Sequence, residues 1–285
     1  MCYTDIDPAN TEHLRRNSRH GFYFFDYKGV WRTKGFESDL FSTQHIVFII
    51  LVFLLVPILS ICLRKVKKEK IAVALKILSI FAVLLEIVKI TWESYFDITT
   101  GQGFNWGGLL PIYTCSLYIY TLVLAAWTKG KVRDVALSFL CTIGLLFGGI
   151  GTVYCNGLNY YPFWTFGAFY SLFFHSAMFA TGVYLLISGY KKPTWNMILQ
   201  SFIPVCLLSL VAIPVNYYLG CDYMLLYSAG GVPVYEDLAA HLASKGLRWI
   251  FTIIMLLTHI PLAALVTAVA KGIEAVCGKL KKKKE

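Results

Sequence analysis

The stretch WGGLLPIYTCSLYIYTLVLAAW, residues 106–127, carries Pro111, Tyr113, Thr114, Cys115 and Ser116 close together near one end of an apolar run. A thiol becomes a nucleophile when a base removes its proton, and imidazole can be that base. His175, in FFHSAMFATG, is the first candidate partner for Cys115. His259 is a second histidine that could share the load, and the Glu86 carboxylate could orient an imidazole. Thr114 or Ser116 could donate a hydrogen bond to an oxyanion formed at an acyl carbon. Such chemistry needs no cofactor, metal or nucleotide, because the transfer is divided into two covalent steps. The eight cysteines agree with this, since they show neither CxxC pairs nor zinc-ligand spacing. Cys155 and Cys221 fall in predicted loops on the same side and could pair.

These groups must be held by membrane helices. The chain of 285 residues is 57% hydrophobic and 15% charged, against roughly 45–50% and about 25% in a soluble domain. Its long apolar runs are each near the ~20 residues needed to cross a hydrocarbon core. The expected fold is all-α, a polytopic bundle of about seven spans at 45–63, 71–91, 107–127, 134–153, 163–188, 197–219 and 247–270. The 1.5 Å helical rise puts Glu86 at roughly 10 Å from one boundary, Cys115 at about 12 Å, and His175 and His259 at about 18 Å. Asn216 lies near the same end of the sixth span, and Asp222 follows it as a candidate for the pocket rim. Five polar groups from five helices thus share one half of the bilayer. Intramembrane polar groups often mark function, although Ser, Thr, Asn and His also serve as interhelical glue.

Charge sets the expected orientation. RKVKKEK, TKGKVRD, GYKKPTW and the terminal GKLKKKKE are basic, whereas ESYFDITTGQGFN and YCNGLNYY contain no Lys or Arg. Every second connection is therefore expected in the cytoplasm, with the N-terminus outside and the C-terminus inside. The net charge of +10 is an orientation signal on this reading, and no nucleic acid partner is expected. Three further regions are distinguished: an extracytoplasmic segment 1–44, with six acids and six bases and no cleavable signal; a seven-helix domain 45–270; and a basic tail 271–285. Within the domain, the connection 220–246 is long enough to be a lid, a binding element or a cap over helix ends. FGGIG at 147–151 reads as small-residue helix packing, and Pro204 and Pro214 as kinks in the sixth span.

LLPIYTCSL, FFHSAMFATGVYLL and PVNYYLGCDYMLL occur in the same order as in the bacterial YwaF-like integral membrane proteins, which this chain resembles over most of its membrane region. The eukaryotic relative of that family is transmembrane protein 164. The resemblance implies a helical membrane fold and acyl transfer between phospholipid and lysophospholipid by a cysteine and a histidine. By position these are Cys115 and His175. Two departures stand out: Tyr113 occupies a place where bacterial members usually carry histidine, and Asp222, Tyr223 and Met224 replace Asn-Tyr-Met. The implied location is a bacterial cell membrane, or the endoplasmic reticulum in a eukaryotic source.

Two classes of function follow. An acyltransferase would form a Cys115 thioester with His175 as base; a transporter or membrane binding protein would use Glu86 and the histidines as a relay or ligand site. The absence of a recognisable inverted repeat counts against a transporter. Substitution separates the two. An acyltransferase is expected to lose all turnover on Cys115→Ser or Cys115→Ala, whereas a transporter assayed for flux tolerates both and fails on Glu86→Gln or His259→Ala.

Overall fold

A computed structural model describes residues 23–26, 35–99, 109–230 and 232–282. Most of the N-terminal segment, the connection around Trp106 and the last three residues lie outside the described residues. Hydrocarbon offers backbone groups no partner, so an apolar run must satisfy its N–H and C=O groups internally as helix. The described residues are accordingly helical and contain no strand. The principal helices are α1 (Thr43–Cys62), α2 (Lys68–Thr99), α3 (Leu117–Trp127), α4 (Gly130–Phe139), α5 (Leu145–Val153), α6 (Phe166–Ile187), α7 (Asn196–Leu219), α8 (Pro233–Ser244), α9 (Arg248–Leu257) and α10 (His259–Lys282). Six helical stretches are long and apolar enough to cross a membrane: Thr43–Cys62, Lys68–Thr99, Gly130–Asn159, Phe166–Ile187, Asn196–Leu219 and Arg248–Val276.

The departures from seven plain spans have identifiable causes. Among the described residues, the expected third span is helical at Leu109 and over the 11 residues of α3. Its head, 110–116, is irregular chain, with Pro111 unable to donate an N–H and turns closed by Ile112 N–H to Leu110 O at 2.8 Å and Ser116 N–H to Tyr113 O at 3.0 Å. The fourth span is α4 and α5 joined by a π-helical turn, Leu140–Gly144, all of it buried. The seventh breaks at Thr258, three residues before Pro261, which has no N–H for the carbonyl four residues back. α7 remains helical through Pro204 and Pro214. α2 extends beyond the expected 71–91, because Glu93 and Asp97 continue its inward face.

α5 packs more extensively on α6 than any other helix pair, through the glycines of FGGIG. A Cβ on Gly148 would lie 2.7 Å from Met178 Cβ and 2.8 Å from the His175 carbonyl oxygen. A Cβ on Gly151 would lie 2.6 Å from both Cγ and Nε2 of His175. Ordinary residues at either position would force the helices apart. α1 docks beside them through His45, which is wholly buried.

At the basic end of the bundle, Lys191 pairs with Asp134, whose other oxygen accepts from Gln200 Nε2 at 2.7 Å. Ser138 Oγ donates to Gln200 Oε1 at 2.7 Å. This network closes α4, α7 and the connection after α6 around a lysine only 8% exposed. Nearby, Lys76 Nζ lies 5.0 Å from the centre of the Trp127 ring.

At the opposite end, Phe24 and Phe25 pack on Phe166, and Trp92 Nε1 donates to Phe25 O at 2.8 Å. The connection after α7 is an ordered cap. Asn216 clasps the backbone of Tyr223, donating to its carbonyl at 2.8 Å and accepting from its N–H at 2.7 Å. Asp222 accepts from the N–H groups of Tyr227, Ser228 and Gly230 and from the Ser228 hydroxyl. These bonds hold Met224, Leu225 and Ala229 at φ of 60°, 59° and 56°, a left-handed conformation costly for residues with a side chain. The suggested Cys155–Cys221 disulfide is not formed. Both are free buried thiols; Cys155 Sγ donates to Ser171 Oγ at 3.2 Å and Cys221 Sγ to Leu219 O at 3.6 Å.

Asn216→Leu removes both side-chain bonds to the Tyr223 backbone, leaving its carbonyl the 3.3 Å bond from Leu226 N–H, in a buried cap where a lost partner costs about 1–3 kcal/mol. The expected result is a lower melting temperature in detergent and new protease sensitivity confined to 220–230, read by mass spectrometry of the fragments.

Candidate functional site

The three histidines in the bundle are distinguished by their hydrogen bonds. His45 Nδ1 accepts from Phe41 N–H at 3.1 Å, so its proton is on Nε2, which donates to Thr152 O at 3.0 Å. Both nitrogens are engaged in fastening α1 to α5, a structural role. His175 is reversed: Nδ1 faces the Ser171 carbonyl at 2.8 Å and must carry the proton, leaving Nε2 a bare base. His259 has the same tautomer, because Nδ1 lies 3.2 Å from Met255 O and 3.1 Å from Leu256 O. Its Nε2 is buried with no partner among the described residues.

The two bare bases approach one face of α5. His175 covers Gly151, and His259 stacks on Phe147 with ring centroids 5.6 Å apart and planes at 25°. Residues 147 and 151 are one helical turn apart on the same side. Phe147 packs against two core clusters, one lined also by Cys115 and the other containing Met255 and Ala263.

Cys115 occupies the irregular head of α3, one residue before the Ser116 cap position. Non-helical backbone at membrane depth is tolerated where it is buried in protein or lines a cavity. The amides of Cys115 and Ser116 lie beside its sulfur, and the adjoining N-terminus of α3 favours negative charge. The hydroxyls of Thr114 and Ser116, each on a residue 7% exposed, have no hydrogen-bond partner among the described residues. Tyr113 packs on Tyr223, ring centroids 4.6 Å apart, which ties this head to the cap held by Asn216 and Asp222. Those two side chains are saturated by the bonds of the cap and position it.

Glu86 is 7% exposed and accepts a hydrogen bond from the Tyr170 hydroxyl. One turn along, Lys89 pairs with Glu93 at 2.9 Å and lies 5.9 Å from the Tyr170 ring centre. Cys115 is within electrostatic reach of Glu86, Lys89 and Tyr170. Of these residues depth in the membrane points to Glu86 alone; Lys89, Glu93 and Tyr170 join it in the structure. The signal was present in part, since Glu86, Lys89 and Glu93 have the i, i+3, i+7 spacing of one helix face. Nothing in sequence spacing links Tyr170 to them.

No hydrogen bond joins His175 to Cys115 among the described residues. On α6, Tyr170 and Phe174 face α2 and α3, Phe174 packing on Tyr118 at 5.5 Å. His175 follows Phe174 by one residue, roughly 100° around the helix, and faces α5. Among the described residues no group of three metal-ligating side chains could hold an ion.

The fold and this interior define a polytopic helical membrane protein whose bundle encloses a thiol, two bare imidazoles and a charged row. A model of the TMEM164 family matches residues 40–235, and the chain belongs to that family. The match spans α1 to α7 and the cap, so it includes Cys115 and His175 but not His259. Comparison with curated proteins and with solved structures gives no match.

The glycine contact makes a signed prediction. Gly151→Ala drives a methyl into the His175 ring and is expected to destabilise the protein by about 1–3 kcal/mol. Gly149→Ala meets Phe179 Cδ2 at 3.4 Å, Phe53 Cζ at 3.7 Å and Phe179 Cε2 at 3.8 Å, all ordinary van der Waals contacts, so its better helix propensity, up to about 1 kcal/mol, sets the sign. Melting temperatures in detergent should therefore fall for the first and hold or rise for the second.

Proposed function

We propose that the protein is a membrane-embedded acyltransferase that moves a fatty acyl chain between phospholipid and lysophospholipid through a thioester on Cys115. The observation that carries the reading is the His175 tautomer: a proton held on Nδ1 by the Ser171 carbonyl leaves Nε2 free as a base on the α5 face next to Phe147, whose cluster Cys115 also lines. Family membership supports it, because Cys115 and His175 are the residues that the family resemblance pairs.

In the first step the thiol proton passes to His175 Nε2 and the sulfur attacks the ester carbonyl. A C–S bond forms, the C–O bond breaks, and the departing lysophospholipid oxygen takes the proton from the imidazolium. The unpartnered hydroxyls of Thr114 and Ser116 are the donors for the oxyanion. In the second step a lysophospholipid hydroxyl attacks the thioester and the thiol is restored. A rotation of the His175 side chain, or a shift of the irregular head of α3, brings base and thiol together when lipid enters. Glu86 and Tyr170, bonded to one another beside Cys115, position that head. The membrane is a bacterial cell membrane, with the α1 start outside; in a eukaryotic source its counterpart is the endoplasmic reticulum.

One observation favours the transporter reading: the row Glu86, Lys89 and Glu93 along α2 resembles the lining of a solute or proton path. Intact-protein mass spectrometry after incubation with mixed phospholipid separates the two. The expected result is an acyl-sized, hydroxylamine-sensitive adduct that is absent from Cys115→Ala, formed at least about 100-fold more slowly by His175→Ala, and cleared by lysophospholipid. A folded protein with a free thiol and no adduct would overturn the acyltransferase reading in favour of transport or binding.

A further inference from the structure

His259 lies outside the segment matched by the family, yet its environment is that of a working base. It is 3% exposed, its Nδ1 proton is held by two carbonyls, and its ring is fixed against Phe147. Only Nε2, a lone pair, is left without a partner. A buried acceptor without a donor is costly, and His45 in the same bundle shows both nitrogens satisfied. What His259 lacks is a hydrogen-bond donor supplied from outside the chain. Phe147 stacks on its ring, and Met255 and Ala263, four residues before and after it, belong to the apolar cluster that Phe147 packs against. The matching ligand is therefore a hydroxyl on a lipid.

We propose that His259 Nε2 binds the hydroxyl of the acyl acceptor and serves as the base of the second half-reaction. This rests on the acyltransferase reading and gives each half-reaction its own imidazole. His175 Nε2 takes the Cys115 thiol proton and returns it to the first leaving group. His259 Nε2 then takes the acceptor hydroxyl proton as the oxygen attacks the thioester. The O–C bond forms, the C–S bond breaks, and the proton ends on the Cys115 sulfur, so both imidazoles finish neutral. The two bases are one turn apart along α5, over Gly151 and Phe147. Phe147, on which His259 stacks, packs against the cluster that Cys115 also lines.

The test divides the reaction. Native protein, His259→Ala and His259→Gln are acylated in mixed phospholipid vesicles and then challenged with lysophosphatidylcholine, the Cys115 adduct being followed by mass spectrometry. His259→Ala is expected to acylate within about threefold of the native rate but to clear the adduct at least about 100-fold more slowly, the ordinary contribution of a general base. In a Cys115→Ala background, stabilisation by lysophosphatidylcholine, which has a free hydroxyl, should weaken by about tenfold in affinity on adding His259→Ala. It should recover in part with His259→Gln, whose amide oxygen can accept a hydroxyl. Stabilisation by diacyl phosphatidylcholine should not change.

Clearance at the native rate in His259→Ala would overturn the inference and leave the acyltransferase reading standing. So would loss of acylation itself in a folded variant, which would assign His259 to the first step. No adduct on the native protein would remove the acyltransferase reading, and this inference with it.

Discussion

The close approach of α5 and α6 is the constraint on which the rest depends. Gly148 and Gly151 bring the two backbones together where any side chain would collide. Hydrophobicity supplies no preference for helix over lipid, so such contacts rest on dispersion and shape. With α6 pressed onto α5, His175 lies over Gly151, and Phe147 is presented one turn away to His259. The buried π-helical turn Leu140–Gly144 lies directly before this contact and also meets α3, α7 and α10. Such turns recur at functional sites, and here one shifts the register of the helix that carries both histidine contacts.

The second constraint is the cost of charge in hydrocarbon. Each ionisable group placed inward is paired or hydrogen-bonded by a neighbour: Glu86 by Tyr170, Lys89 by Glu93, Asp134 by Lys191 and Gln200. Breaking a buried pair leaves a charge uncompensated, which costs more than forming the pair yields. The networks therefore fix geometry more than they add stability. One closes the basic end of the bundle; the other surrounds the head of α3.

Against this satisfied background the unsatisfied groups stand out. His259 Nε2 is one of them, as are Ser94 Oγ and Arg133 Nε; the Nε2 atom of His175 and the hydroxyls of Thr114 and Ser116 also have no partner among the described residues. An unpaired group in a packed bundle calls for an explanation, and at His175, Thr114 and Ser116 the proposed acyl transfer supplies one.

Much of the fold was legible in the sequence because hydrophobic length depends only on local composition and on the thickness of a bilayer. α1, α6 and α7 fall close to their expected bounds, and the packing role of FGGIG followed from small residues alone. The truncated third span, the break before Pro261 and the π-helical turn were less legible, since each depends on how neighbouring helices crowd a weak point. The candidate residues Cys115, His175, Glu86 and His259 could be named by type and depth, because the rise of a helix converts position into distance along the membrane normal. Which helix faces which is a rotation about that normal, and a linear pattern does not encode it. The tertiary structure alone therefore put Tyr170 on Glu86, set both histidines on one face of α5, and turned Asn216 and Asp222 to the backbone of the cap.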